Sequence, residues 1–229
     1  MTGFALKLIA MITMLMDHTA VILLGGSKYY DLLRGIGRLA FPIYCFLLVE
    51  GYFYTKNVKK YIIRLGIFAL ISEIPFDLAF ASRHTKNGFL YSQNVFLTLF
   101  IGLIVVYVID TIKEKYNGEF IEKMLLSTLV VAIGGMISKF LFTDYNMLGI
   151  FTIVSFYIFR EKKVLNFVIL TILLYLLNKH FAGVQQIPAT FAILPIYCYN
   201  GKKGTNINRY IFYAFYPVHI AILLLIKLI

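Results

Sequence analysis

Two histidines and several carboxylates stand inside or beside apolar stretches of this 229-residue chain, where packing alone gives no reason for them. An ionised side chain at the centre of a spanning helix costs roughly 2.5 to 3.5 kcal/mol on insertion scales, so each marks a candidate site. Asp17 and His18 interrupt the apolar run over residues 4–24, and His219 follows Pro217 near the C-terminal end. Glu73 and Asp77 lie four residues apart with Pro75 between them. That spacing puts both on one helical face, and the proline loosens the backbone hydrogen bonding there. An imidazole near carboxylates suits removal of a proton from an amine or hydroxyl, the step acyl transfer needs. The same set also suits a proton relay through a membrane.

Depth decides whether these groups can meet. At about 1.5 Å of rise per residue, His18 lies about 21 Å and Asp17 about 20 Å from the inner start of their helix. Glu73 falls at roughly 18 Å, Asp77 at roughly 24 Å, and His219 at about 14 Å from Tyr210. Arg38, Gln93 and Asn94 open their helices from the outer side, and Asp144-Tyr145-Asn146 precede another from that side. One polar cavity in the middle to outer half of the bilayer accounts for all of them. Neighbours on a helix point about 100° apart, so Asp17 and His18 are not expected to pair with each other. Glu73 or Asp77 is the expected partner of His18. Glu50, near an inner helix end, reads as a snorkelling group or a partner of Lys56. His84 and His180 read as solvated, and Tyr29, Tyr30 and Tyr91 as interface anchors.

The elements that position these residues follow from hydropathy. With 60% hydrophobic and 14% charged residues and a mean hydropathy of +0.82, the composition excludes an ordinary soluble domain. Residues 96–109 and 125–133 are apolar on every face, against the alternation of a membrane barrel. A helix needs about 20 mostly apolar residues to cross. Candidate spans run near 4–25, 36–55, 61–82, 94–112, 122–141, 146–159, 164–179, 187–200 and 210–228. The expected fold is all-α, a polytopic transmembrane bundle of about nine spans forming one domain over residues 1–229. The sixth and eighth spans are short, and Pro188 and Pro195 interrupt the eighth. The first run lacks a small-residue cleavage site and reads as a retained helix. Cys45 and Cys198 fall in apolar runs and read as small hydrophobes. No two histidines have the spacing of a helix-borne zinc site, so no metal is expected.

A formal charge of +11 would point to nucleic acid in a soluble protein, but here the cations sit in short loops, where they set orientation. Alternate loops and Lys7 collect 14 Lys and Arg on one side, against eight on the other. The expectation is a multi-pass plasma membrane protein with its N-terminus inside and its C-terminus outside.

The segments ALKLIAMITMLMDH, GRLAFPIYCFLLVEGYFYT, RLGIFALISEIPFDL, QNVFLTL and FYPVHI resemble the TraX family of membrane proteins, from the first residues to the last helix. The family takes its name from a protein needed for N-terminal acetylation of conjugative pilin. It looks related to integral membrane acyltransferases that use acyl-CoA and an intramembrane histidine. The resemblance implies His18, in the Asp17-His18 pair, as the catalytic position and acetyl-CoA as acyl donor, with no prosthetic group.

On that basis Glu73 or Asp77 would orient the imidazole, and His219 is a further catalytic candidate. Arg38, Gln93 and Asn94 would stabilise an oxyanion, with Asp144 beside them as a further substrate contact. Cations of the inner loops, Lys59, Lys60, Arg64, Arg160, Lys162, Lys163, Lys202 and Lys203, would hold the donor's phosphates. The acceptor is left open as a protein N-terminus, a glycan or a small molecule. Two other classes share the cluster: a proton-coupled transporter, and an assembly factor whose polar residues only fix packing.

Overall fold

The computed structural model describes residues 1–80, 92–180 and 187–229, with Lys163 and residues 170, 174 and 177–180 described by backbone alone. Arg83, His84, Lys86 and Tyr91 therefore lie outside the described residues, as do the side chains of Lys163, Lys179 and His180. The described chain folds into ten α-helices. They are α1 (Gly3–Leu23), α2 (Tyr30–Gly37), α3 (Ala40–Tyr54), α4 (Val58–Phe80) and α5 (Val95–Lys115). After these come α6 (Phe120–Phe140), α7 (Asn146–Ile158), α8 (Lys163–His180), α9 (Ile193–Tyr197) and α10 (Arg209–Leu228). A 3₁₀ turn over Ile187–Ala192 runs directly into α9.

Among the described residues, five segments are long and apolar enough to cross a membrane: α1, the joined Tyr30–Tyr54, α5, α6 and α10. α4 has 23 residues but carries Lys59, Lys60, Arg64, Glu73 and Asp77, and α7 has only 13. The second expected span starts earlier than residue 36. Tyr30–Gly37 is helical and bends near Arg38 and Leu39 into α3. α6 presents its apolar residues outward, and its buried residues are Gly134, Gly135 and Ser138. Small residues of this kind let a membrane helix approach its neighbours closely.

Polar groups at the helix ends fix the arrangement. The first amides of a helix lack intrahelical partners. In α1 the Thr2 hydroxyl accepts from Ala5 N, while Gly3 N and Phe4 N donate to the carbonyls of Lys202 and Lys203 at 2.8 and 2.9 Å. The Met1 ammonium donates to the Cys198 carbonyl at 2.6 Å, and Asn200 N donates to the Met1 carbonyl at 2.9 Å. The start of α1 is thereby tied to the loop that leads into α10. At the same end Tyr52 of α3 and Tyr157 of α7 donate to the two oxygens of Asp110 of α5, at 2.6 and 2.5 Å. Glu50 pairs there with Arg160 at 2.6 Å, not with Lys56 as the sequence suggested, because α7 ends beside α3. At the opposite end Gln93 N donates to the Phe142 carbonyl at 2.9 Å.

α2 packs closely along the C-terminal half of α1. A Cβ at Gly37 would stand 2.3 Å from the Asp17 Cβ and 2.6 Å from its Oδ1, closer than side chains tolerate. Gly37→Ala is expected to push the two helices apart and to destabilise the protein by about 1 to 3 kcal/mol, the usual cost of overpacking. A thermal melt of the detergent-purified variant at or above the wild-type midpoint would contradict this close approach.

Candidate intramembrane histidine and arginine site

His18 and Asp17 leave α1 in different directions, and each finds partners on a different helix. His18 Nδ1 lies 2.7 Å from His219 Nε2, with ring planes 6° apart and centroids 4.9 Å apart. A ring-centre separation so much longer than the nitrogen contact means that the imidazoles run edge to edge. His219 Nδ1 lies 2.6 Å from the Phe215 carbonyl. A carbonyl only accepts, so His219 carries its hydrogen on Nδ1 and offers Nε2 as an acceptor. With both rings neutral, His18 donates through Nδ1 and its lone pair falls on Nε2. The Phe215 carbonyl thus sets both tautomers. Phe80 and Tyr216 stand edge-on to His18, at centroid distances of 5.6 and 5.7 Å.

Asp17 faces the α2–α3 bend. Arg34 Nη1 donates to its Oδ2 at 2.6 Å, and Arg38 Nη2 donates to Oδ1 and Oδ2 at 2.5 and 2.6 Å. The two arginines are four apart and share a helical face. Asp144 and Tyr145 act electrostatically on Arg38 from the start of α7. Tyr145 itself stacks on Phe41, with centroids 3.5 Å apart.

Between these groups lies a cavity of about 130 Å³. Asp17, His18, Arg34, Arg38, Asp144, Tyr145 and Tyr216 supply its polar wall, and Met14, Phe41, Phe76 and Phe80 part of its apolar wall. His219 stands behind His18 and is buried. The structure therefore brings together Asp17, His18, Arg38 and Asp144, with His219 supporting them. The sequence did not single out Arg34 or Tyr216 for this site. The Arg34 and Arg38 spacing was the available signal, and it needed only the recognition that α2 is helical.

Glu73, one of the two carboxylates expected beside His18, is engaged elsewhere. Among the described residues His18 bonds to His219, while Glu73 belongs to a separate cluster at the start of α5. There Glu73 Oε2 accepts from Asn94 N at 3.3 Å and from Asn94 Nδ2, which also donates to the Ala69 carbonyl at 2.8 Å. Asn94 Oδ1 caps the helix by accepting from Phe96 N at 2.9 Å. A carboxylate at a helix N-terminus is favourably placed against the dipole, so this cluster has a structural purpose. Asp77 lies one turn further along α4, and neither it nor Gln93 is among the described residues lining the cavity.

The loop cations expected to hold the donor's phosphates are not one cluster. Arg160 is engaged by Glu50 and by Glu161 at 3.3 Å, and the bond to Glu50 raises its pKa further. Lys59, Lys60, Lys162, Lys202 and Lys203 are exposed at the same end, and Lys203 Nζ donates to Asn206 Oδ1 at 2.7 Å. Arg64 lies beside Tyr213, with its Nε buried and lacking a hydrogen bond.

An all-helical chain with five membrane-length apolar helices, enclosing a cavity walled by histidine, carboxylate and guanidinium groups, is a polytopic membrane protein with an internal polar site. The chain belongs to the TraX family: the family model described as TraX protein matches residues 2–227. It is also similar to a Dichelobacter nodosus protein described as "Probable fimbrial assembly protein FimC, serogroup H1". The two are 33% identical over 240 residues, covering 97% of this chain and 94% of that protein. No solved structure matches the chain.

Removing one partner from a buried ion pair strands the other charge, at about 3 to 5 kcal/mol. Asp17→Asn removes the carboxylate that two guanidiniums share, whereas Arg34→Gln or Arg38→Gln leaves Asp17 paired with the other arginine. The asparagine variant is therefore expected to melt lowest of the three. Equal melting of all three would mean that Asp17 does not hold both arginines.

Proposed function

We propose that this protein is a membrane-embedded acyltransferase, moving an acetyl group from cytosolic acetyl-CoA to an amine or hydroxyl acceptor. The observation that carries the proposal is the chain from the Phe215 carbonyl through His219 to His18, which itself lines the cavity opposite Arg34 and Arg38. That nitrogen would take the proton of the acceptor as the acceptor's nitrogen or oxygen attacks the thioester carbonyl. Arg38 and Arg34 would stabilise the oxyanion from the facing wall. His18 would then return the proton to the departing thiolate, leaving an acetylated acceptor and free CoA. His219 is a positioning residue that keeps His18 in the right tautomer.

The proposal includes nine crossings, with α4, α7, α8 and the 3₁₀ turn with α9 completing the five longer segments. The N-terminus would lie inside and the C-terminus outside, in the plasma membrane. Supporting this, the loops rich in Lys and Arg gather at the end where Met1 meets Cys198 and Glu50 meets Arg160. The fimbrial assembly named for the Dichelobacter relative favours a protein acceptor, presented at the outer mouth through its N-terminal amine.

Acetyl-CoA binding and slow hydrolysis by the detergent-purified protein test this reading, with melting curves to establish folding. His18→Ala is expected to bind acetyl-CoA as the wild type does and to lose about 10²- to 10⁴-fold in turnover, the usual worth of a general base. His219→Ala should lose less. Absence of binding to the wild type would replace this reading with a proton-coupled transporter, in which Glu73 and Asp77 are the carriers to test.

A further inference from the structure

The inner end of the molecule is electrostatically divided. Around α3, α5, α6 and α7 each cation has acids nearby: Arg160 has Glu50 and Glu161, and Lys113, Lys115 and Lys123 share their segments with Asp110, Glu114, Glu119 and Glu122. Around α1, α4 and α10 there are none. Residues 1–16, 51–72 and 198–229 contain no Asp or Glu, yet they supply Lys7, Lys59, Lys60, Arg64, Lys203 and Arg209.

Four of them, Lys7, Arg64, Lys203 and Arg209, lie by the first turns of α10. Lys7 Nζ sits 4.7 Å from the centre of the Phe212 ring and is close enough to Lys203 for mutual repulsion. Arg64 reaches the Tyr213 hydroxyl from α4, and Arg209 acts on the same tyrosine from one turn earlier in α10. Arg64 also approaches the face of Tyr61 at 5.8 Å. The loop carrying Lys203 is held in place by its backbone bonds to α1 and by the Lys203 to Asn206 bond.

The orientation rule explains why lysines occupy an inner loop. It does not explain a guanidinium turned in between α4 and α10 with a buried Nε lacking a partner, nor like charges brought together with no acid among them. Such an arrangement is stabilised when an anion arrives. Guanidinium and ammonium groups together suit phosphate oxygens.

We infer that the inner rim between α1, α4 and α10 is a seat for an organic phosphate, centred on Arg64 and completed by Lys7, Lys203 and Arg209. On the acyltransferase reading, on which this inference rests for its ligand, the occupant is the nucleotide end of the acyl donor. Tyr213 lies six residues before His219, about 9 Å along α10, so the seat stands on the inner side of the histidine pair and on the same helix. Arg160, already engaged by two carboxylates, is excluded from it. The other source of the same chemistry is the phosphate of an anionic lipid headgroup.

Calorimetric titration of CoA into the full chain, held in nanodiscs of phosphatidylcholine, tests the seat. Arg64→Gln is expected to weaken binding by roughly ten- to a hundred-fold, and the exposed Arg209→Gln by several-fold. Arg160→Gln should leave binding within about two-fold. Loss with Arg160→Gln and none with Arg64→Gln or Arg209→Gln would overturn the assignment. Should Arg64→Gln fail to fold, Arg209→Gln carries the comparison.

If the wild type binds no CoA, the acyltransferase reading fails, and a second arm decides the seat separately. Phosphatidylglycerol retained by the purified protein is counted by native mass spectrometry. Retention that falls in Arg64→Gln assigns the seat to a lipid phosphate, and retention unchanged by it removes the seat altogether.

Discussion

The carboxylate of Asp17, held between two guanidiniums, is the constraint on which the site depends. Three charged groups removed from water carry a large desolvation cost, offset only when their hydrogen bonds are well made. Here both carboxylate oxygens are engaged, at 2.5 to 2.6 Å. That requires α2 to lie against α1, which Gly37 alone permits at the contact, because any Cβ there would overlap Asp17. The bend between α2 and α3 then places Arg34 and Arg38 on one face. With Asp17 fixed toward α2, the next residue on the helix must turn elsewhere, and His18 is delivered to α10. Asp17, held by the two arginines, is thus the group that aims His18.

The second constraint acts at the other end of the same helices. The α1 amides bonded to Lys202 and Lys203, and the Met1 ammonium bonded to Cys198, set the axial position of α1 against the loop entering α10. His18 and His219 are 201 residues apart in sequence, and their contact depends on this register. A slip of one residue, about 1.5 Å, would break an in-plane nitrogen contact of 2.7 Å. Pro217 contributes locally. It withholds the N–H that would otherwise bond to the Tyr213 carbonyl, one turn earlier in α10.

Much of this was legible in the sequence. Hydropathy gave the helical class, and rise per residue put His18, Glu73 and His219 at comparable depth. The offset between Asp17 and His18 correctly separated their partners. Rotation about each helix axis was beyond reach, because depth places a residue along a helix and says nothing of which neighbour it faces. Glu73 was therefore one of two carboxylates expected beside His18, yet it bonds to Asn94 at the start of α5, and Glu50, read as snorkelling or as a partner of Lys56, pairs with Arg160. α2 was missed because Gly35 and Gly37 lower helix propensity, and its helical state comes from packing on α1 and from the Asp17 pair. The even spread of inner lysines hid a division that appears only once the acids are placed on the other helices.

The contact between His18 and His219 has a chemical consequence. In a hydrolytic triad the group behind the imidazole fixes which ring nitrogen carries the hydrogen. His219 does this with a ring nitrogen, because its other nitrogen is committed to the Phe215 carbonyl. Five residues on three helices, Asp17, His18, Arg34, Arg38 and His219, are thereby held by hydrogen bonds to one another. On the acyltransferase proposal a fixed tautomer serves a reaction whose donor is already activated, as a thioester is, and whose leaving group needs the proton back at once. The guanidiniums of the facing wall are placed on that proposal to meet the oxyanion, so proton transfer and charge stabilisation fall to different helices.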